Sequence, residues 1–308
     1  MDLFTRWIAQ RRRNLWQHPL WKAFQSALGY TTWNVESGSA SALLIARPLG
    51  FGQRWIEVPR GPLFGSPDDL PALMQKIKKI GRDSGAVFIR FSCYDPAFFE
   101  VFPMLKPTPY DRHPQTSLVL DLTQEHEAIL EQMKPKGRYN IRVAQRHGIE
   151  VAPSDNLEAF YTLLNQTGNR DGFGVHPMAY YEEMVDQLDG SLELMMAYYN
   201  DEPVAGGIFI FVDEWAIYYY GASDHAFRPY MAPYLLQWEA IKEGKRRGCR
   251  YYDFLGIAPT DDARHPWAGV TDFKKKFGGN VMEYPQARDL VLKPFWYSLY
   301  RLYKALKK

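Results

Sequence analysis

Between residues 203 and 256 the apolar positions change their period twice. "PVAGGIFIF" (203–211) and "EWAIYYYGAS" (214–223) are β-branched and aromatic runs split at Asp213-Glu214, which predicts a two-stranded hairpin. In "APYLLQWEAIKEGKRRG" (232–248) Leu235, Leu236, Ala240 and Ile241 share one helical face, and Lys and Arg crowd the last turn before Gly248. "CRYYDFLG" (249–256) is a strand again. The predicted order is strand, strand, helix, strand.

The same order occurs in the first third of the chain. "SALLIARPL" (41–49) and "QRWIEVPRG" (53–61) are two strands around Gly50 and Gly52. "PDDLPALMQKIKKIGRDSG" is a helix that starts after Ser66-Pro67 and ends near Gly81 or Gly85, and "AVFIRFS" closes the module. No residue-level identity links the two copies. The repeated pattern predicts an α/β (α+β) chain of two similar units rather than one wound sheet.

Between the modules, residues 116–151 read as a strand, a helix from about Gln124 to Met133, a helix from about Gly137 to Arg146, and a strand. Residues 154–188 read as a helix, a Gly-rich loop and another helix. In the last segment, "KPFWYSLYRLYKALKK", Phe295, Leu299, Leu302 and Leu306 fall on one helical face and Arg301, Lys304 and Lys308 elsewhere. Such a basic–aromatic helix either packs back on the first domain, the preferred reading, or makes a peripheral contact with an anionic membrane.

Composition narrows the picture. With 308 residues, 46% of them apolar and 15% aromatic, the chain can bury a sizeable core. A net charge of +2 does not mark the whole protein as a nucleic-acid binder. Basic clusters are local: Arg11–Arg13, Lys134 to Arg146, Lys245–Arg247 and Lys274–Lys276. Two cysteines, Cys93 and Cys249, suggest a reducing compartment and no disulfide framework. The N-terminus lacks a signal-peptide h-region, and no run of about 18 apolar residues exists to span a bilayer, so a cytoplasmic location is expected.

Familiar catalytic motifs are missing. There is no G-x-S-x-G elbow and no phosphate loop ending in Gly-Lys-Ser/Thr. The seven histidines show no metal-ligand spacing, so no metal is expected. A strand–strand–helix unit does suggest a GNAT-type acyltransferase, in which a Gly-rich turn at the helix start holds a pyrophosphate. The corresponding turn here reads Arg228-Pro229-Tyr230-Met231-Ala232-Pro233. Its glycines are gone and two prolines remove N–H donors, which counts against coenzyme A as the acyl donor. The stretch 251–279, "YYDFLGIAPTDDARHPWAGVTDFKKKFGG", runs from an aromatic strand through a polar loop to a lysine triplet between Phe273 and Phe277. That arrangement suits a segment that aims one cation at something buried.

Six segments in order resemble the FemABX family of peptidoglycan cross-bridge aminoacyltransferases: "VPRGPLF" (58–64), "TSLVLDLT" (116–123), "MKPKGRYNIRVAQRHGIEV" (133–151), "YYYGASDHAFRPYMAPYLLQWEAI" (218–241), "YYDFLGI" (251–257) and "FKKKFGG" (273–279). The resemblance implies two tandem GNAT-like domains, residues 1–121 with 287–308 and residues 122–286. The coiled-coil arm of some members is missing, so the chain resembles the compact type. The family moves an amino acid from aminoacyl-tRNA, a co-substrate rather than a cofactor, to the side-chain amine at the third position of the stem peptide. The acceptor is a peptidoglycan precursor, UDP-MurNAc-pentapeptide or lipid II.

The resemblance also implies site residues. Lys274 takes the place of the lysine that faces the reacting groups, where an ammonium stabilises a developing oxyanion or holds a phosphate. Tyr220 and Tyr180 match two tyrosines near the acceptor. Family cations that contact the diphosphate or sugar are replaced here by His176 and by Gln25, with Lys22 nearby; this leaves lipid II or another glycan precursor open as the acceptor. Arg138, Arg142 and Arg146 lie four apart on one helical face, a spacing that fits phosphate contact or a structural ion pair, and Arg228 adds a cation at the turn before the helix. Lys275 and Lys276 are expected to be solvated or near tRNA phosphates. The competing reading is a GNAT-like N-acyltransferase that uses a thioester donor on another polysaccharide precursor or amine. A third is a non-catalytic protein that binds cell-wall precursors.

Overall fold

A computed structural model of the chain describes residues 14–306. Arg11–Arg13 and Lys308 of the sequence reading lie outside that range. The chain divides into two compact units, one running to Gln115 and resuming at Glu283, the other Thr116–Met282.

The first unit holds helix α1 (Pro19–Ala27), strands β1 (Thr32–Ser37), β2 (Ala40–Gly50) and β3 (Gln53–Val58), helix α2 (Leu70–Asp83), β4 (Phe88–Phe91), the short helix α3 (Ala97–Val101) and β5 (Lys106–Pro107). It is completed by β13 (Arg288–Val291) and helix α10 (Pro294–Leu306). Its sheet has the order β1-β2-β3-β4-β13-β5. β2 and β3 are antiparallel, and α2 carries the chain across so that β4 runs parallel to β3. Helix α2 forms because Leu70, Leu73, Met74, Ile77 and Gly81 recur on one buried face, with Ser66 accepting a hydrogen bond from Asp68 N just upstream. That face packs on Ile56, Val58, Ile89 and Phe91. β13 is stitched to β4 by a buried bidentate pair, Arg90 Nε and Nη2 to the two Asp289 oxygens at 2.8 and 2.9 Å.

The second unit holds β6 (Thr116–Asp121), α4 (His126–Gln132), α5 (Pro135–Arg146), β7 (Glu150–Pro153), α6 (Leu157–Asp171), α7 (Met178–Gln187), β8 (Leu192–Tyr199), β9 (Glu202–Val212), β10 (Trp215–Ser223), α8 (Ala232–Arg246), β11 (Tyr251–Gly256), α9 (Ala268–Lys275) and β12 (Asn280–Glu283). Its sheet runs β12-β6-β11-β10-β9-β8-β7. The first unit's connection recurs, with β9 and β10 antiparallel and α8 leading to β11 parallel to β10. The expectation of two similar α/β units therefore holds. β6 pairs antiparallel with β11, Tyr252 opposite Leu120. That pairing places 116–121 in the second unit, so the first crossing falls at 115/116 where the sequence reading put it at 121/122. The second falls at 282/283 rather than 286/287.

Several elements escaped the periodicity reading, among them α1, α9, β8 and β1. β8, "LELMMAYY", is buried on both faces at its centre and so lacks a clean alternation. β1 is a half-exposed strand of mixed character, Thr32–Ser37.

Candidate functional site

β10 and β11 pair over three residues only, Trp215–Ile217 with Tyr251–Asp253, and then part. Both strands are irregular where they separate. In β10 the register against β9 slips at Tyr219, with Tyr218 opposite Phe209 and Tyr220 opposite Ile208. Paired residues share a face and consecutive ones alternate, so the bulge sends the Tyr218 and Tyr220 rings to opposite faces of the sheet. Tyr218 stacks on Phe209 with ring centroids 5.6 Å apart. Gly221 is required beside it, because a Cβ there would lie 1.6 Å from the Tyr218 hydroxyl.

In β11 the register against β6 slips between Asp253 and Gly256. Leu255 adopts φ +58°, a left-handed conformation costly for a side chain of its size. The turn is held by Asp253, buried, whose Oδ1 accepts from Leu255 N at 2.8 Å and from the Ser117 hydroxyl. The result is a Gly256 carbonyl aimed out of the ladder.

Lys274 meets that carbonyl. It projects from α9, is only 7% exposed, and its Nζ donates to Gly256 O at 2.7 Å. Nζ also sits over the Tyr218 ring, 5.9 Å from its centroid. Burial pushes the ammonium down to about 8, against the partial opposition of the Asp253 charge. Helix α9 is anchored by Phe277, fully buried and stacked 5.8 Å from Tyr234, and by Thr271, whose hydroxyl accepts from Ala258 N at 2.8 Å. Gly278 and Gly279 follow with φ +80° and +87°, pressed against the backbone of Gln132 and Val119. Hence "FKKKFGG": two aromatics to seat the helix, a buried lysine, and glycines where the chain turns against its neighbours.

Lys275 and Lys276 depart from the sequence expectation. Lys275 pairs with Asp261 at 2.7 Å and Lys276 with Asp272. The partners lie in the preceding loop and one helical turn back, where opposite charges meet naturally.

A second cluster lies on the opposite face of β10. Tyr220 Oη and Tyr180 Oη are 3.4 Å apart, and His176 stacks flat on Tyr180 with centroids 4.0 Å apart. Tyr181, buried, contacts the Tyr220 ring edge-on at 5.3 Å. His176 and Tyr180 come from the loop and first turn of α7, Tyr220 from β10. Burial, reinforced by the Tyr219 and Tyr180 phenols, keeps Tyr220 protonated far above the usual tyrosine range. It is a hydrogen-bonding phenol rather than a base.

The arginines separate by environment. Arg138 Nη1 donates to the carbonyls of Leu130 and Glu131 at 3.3 and 3.0 Å, and to that of Met133. Of the phosphate contact and the structural ion pair that its spacing allowed, neither is seen among the described residues; Arg138 caps the C-terminal end of α4, where unpaired carbonyls attract a cation. Arg142 and Arg146 stay exposed on α5, Arg146 lying over the Tyr139 ring at 5.8 Å. Arg228 is exposed in the turn before α8, where Met231 takes φ +57° and Pro233 occupies the first helical turn. In the first unit, Gln25 is buried on α1 with Oε1 unpaired among the described residues, and Lys22 is half-buried one turn earlier.

Sequence reasoning passed over Tyr218 and Asp253. Both lie inside quoted segments, "YYYGAS" and "YYDFLGI", but nothing in a linear pattern marks a bulge or tells which tyrosine of three meets a lysine 56 residues later.

The FemAB family pattern matches two stretches of the chain, residues 106–202 and 199–307. The aminoacyltransferase FemA of Staphylococcus aureus is 35% identical over 111 residues, which is 35% of this chain and 25% of FemA. The match thus spans about a quarter of that curated relative. Among solved structures, the crystal structure of FemX superposes with a TM-score of 0.82 at 18% identity, covering 98% of this chain and 99% of FemX. A tandem GNAT protein from the clavulanic acid biosynthesis pathway superposes with a TM-score of 0.50 at 13% identity, covering 84% and 81%. These likenesses agree with the doubled strand–strand–helix–strand plan, and the matched stretches take in both the Lys274 pocket and the tyrosine cluster: this chain belongs to the FemAB family.

Proposed function

We propose that the protein is an aminoacyltransferase that moves an amino acid from aminoacyl-tRNA to the stem-peptide side-chain amine of a peptidoglycan precursor, with no cofactor. The observation that carries this reading is Lys274, a buried ammonium fixed on Gly256 O where β10 and β11 part. The acceptor amine attacks the ester carbonyl carbon. A C–N bond forms, the C–O bond to the ribose breaks, and the amine proton leaves with the ribose oxygen. Negative charge gathers on the carbonyl oxygen in between. An ammonium held in a water-poor pocket stabilises that charge without reorganising at the moment of reaction. Tyr220 and Tyr180 act as hydrogen-bonding phenols toward the acceptor, with His176 holding the Tyr180 ring flat. Arg142, Arg146 and Arg228 are free to meet phosphates of the charged tRNA.

The turn at 228–233 favours this donor over an acyl thioester. Proline in the first turn of α8 and a left-handed Met231 leave few N–H groups to cradle a pyrophosphate. The test is mass-spectrometric. The full chain is mixed with a pool of charged tRNAs and, in parallel, with UDP-MurNAc-pentapeptide or lipid II. A ribonuclease-sensitive gain of one amino-acid mass on either acceptor establishes the reaction. No product on either acceptor from folded protein overturns it.

A further inference from the structure

Helix α10 shows a face that its own unit leaves bare. Trp296, Tyr297 and Tyr300 pack onto Trp55 and Phe88, and Tyr297 and Tyr300 hydrogen-bond Asp289 and Arg90. At about 100° per residue, Phe295, Leu299, Leu302 and Leu306 lie on the other side of the helix. They are 70%, 43%, 58% and 79% exposed. Large apolar side chains in an unbroken stripe mark an interaction surface.

A second, independent feature stands nearby. The β2–β3 turn, Gly50-Phe51-Gly52, holds Phe51 94% exposed at φ +50°. A phenylalanine in a left-handed turn without packing is costly twice over. Lys293, at the start of α10, donates to Gln53 Oε1 at 3.2 Å, so this turn neighbours the helix start.

Charge identifies the occupant. From residue 291 to 308 the chain carries Lys293, Arg301, Lys304, Lys307 and Lys308 and no acidic residue. An apolar stripe with aromatics and an all-basic complement suits a surface that is apolar beneath an anionic layer. The first thirteen residues carry Arg6, Arg11, Arg12 and Arg13 against Asp2 alone, so they offer little negative charge to complement this helix. A second copy would bring the same positive face against itself.

We propose that the exposed face of α10, with Phe51, docks the protein on an anionic lipid bilayer. The helix lies in the interface with its apolar stripe among the acyl chains and its cations at the headgroups. This placement does not depend on the reaction proposed above.

The test is co-sedimentation of the full chain with large vesicles of phosphatidylglycerol and phosphatidylcholine in equal parts, and of phosphatidylcholine alone. Binding is expected to the anionic vesicles, weakened by salt. Leu302→Glu/Leu306→Glu should lower it by more than about tenfold, and Phe51→Ser by less. Because the stripe is bare, the double variant should unfold at the same temperature as the parent. No binding to anionic vesicles overturns the proposal, as does binding that the double variant retains. So does a loss of thermal stability in the variant, which would show that another part of the chain covers the face. A parent dimer in lipid-free ultracentrifugation that the variant converts to monomer would assign the face to a second copy instead.

Discussion

Lys274 Nζ donates to Gly256 O at 2.7 Å, and the carbonyl faces it because Leu255, one residue earlier, takes φ +58°. A bulge in β11 and a left-handed leucine are both unfavourable locally. Together they give a buried ammonium a fixed partner that takes up one of its three N–H donors.

The folded protein is destabilised by that ammonium. Lys274 titrates near 8 in the fold and near 10.5 in the open chain, because burial disfavours its charge. Below pH 8 the charged form costs folding about 3 kcal/mol at most; the cost shrinks as pH rises and is gone above about 10.5. Lys274→Met is therefore expected to raise stability in urea unfolding at pH 7 and to lose that advantage by pH 10. The same variant should transfer about 10²–10³-fold more slowly. A destabilised but active Lys274→Met protein would contradict both parts.

Activity should follow the protonation of the same group. If the ammonium is the working form, the transfer rate falls as pH rises through about 8. Asp253 holds Lys274 partly protonated through its charge, so Asp253→Asn should move that fall to lower pH. A pH–rate profile of the two proteins measures the displacement. An activity that rises through this range would make neutral Lys274 a base instead.

Tyr220 and Tyr180 share a 3.4 Å contact between their hydroxyls, and Tyr220 does not ionise in any working range. Tyr220→Phe should lower kcat/KM by about tenfold, the loss of one hydrogen bond, and leave the shape of the pH profile unchanged. Steady-state kinetics of the single variants and of the double variant will show whether the two hydroxyls act as a unit.

Arg138 and its helical neighbours should part company. Arg138→Ala removes the cap from the α4 carbonyls and is expected to cost about 1–3 kcal/mol of stability. Arg142→Ala and Arg146→Ala should leave stability within about 0.5 kcal/mol, while weakening tRNA binding and flattening its salt dependence. Filter binding across a salt series, beside thermal unfolding, separates the two effects.

Much of this protein is local in its chain, and that part is legible without coordinates. The hairpin–helix–strand module is written in period-2 and period-3.6 apolar spacing, so both copies could be placed within a few residues. The "FKKKFGG" segment likewise announces a cation between two anchors, because aromatics and glycines at fixed offsets act through neighbouring turns. The same spacing put Phe295, Leu299, Leu302 and Leu306 on one face of α10. Only the fold shows that this face stays bare while Tyr297 is buried and Tyr300 packs beside it. Tertiary structure also decided that Lys274, of three consecutive lysines, is buried, while Lys275 and Lys276 find carboxylates. It turned Arg138 onto a helix end and sent Tyr218 and Tyr220 to opposite faces through a one-residue bulge. Periodicity records which residues share an element's face; what that face meets depends on strands and helices brought in from elsewhere in the sequence.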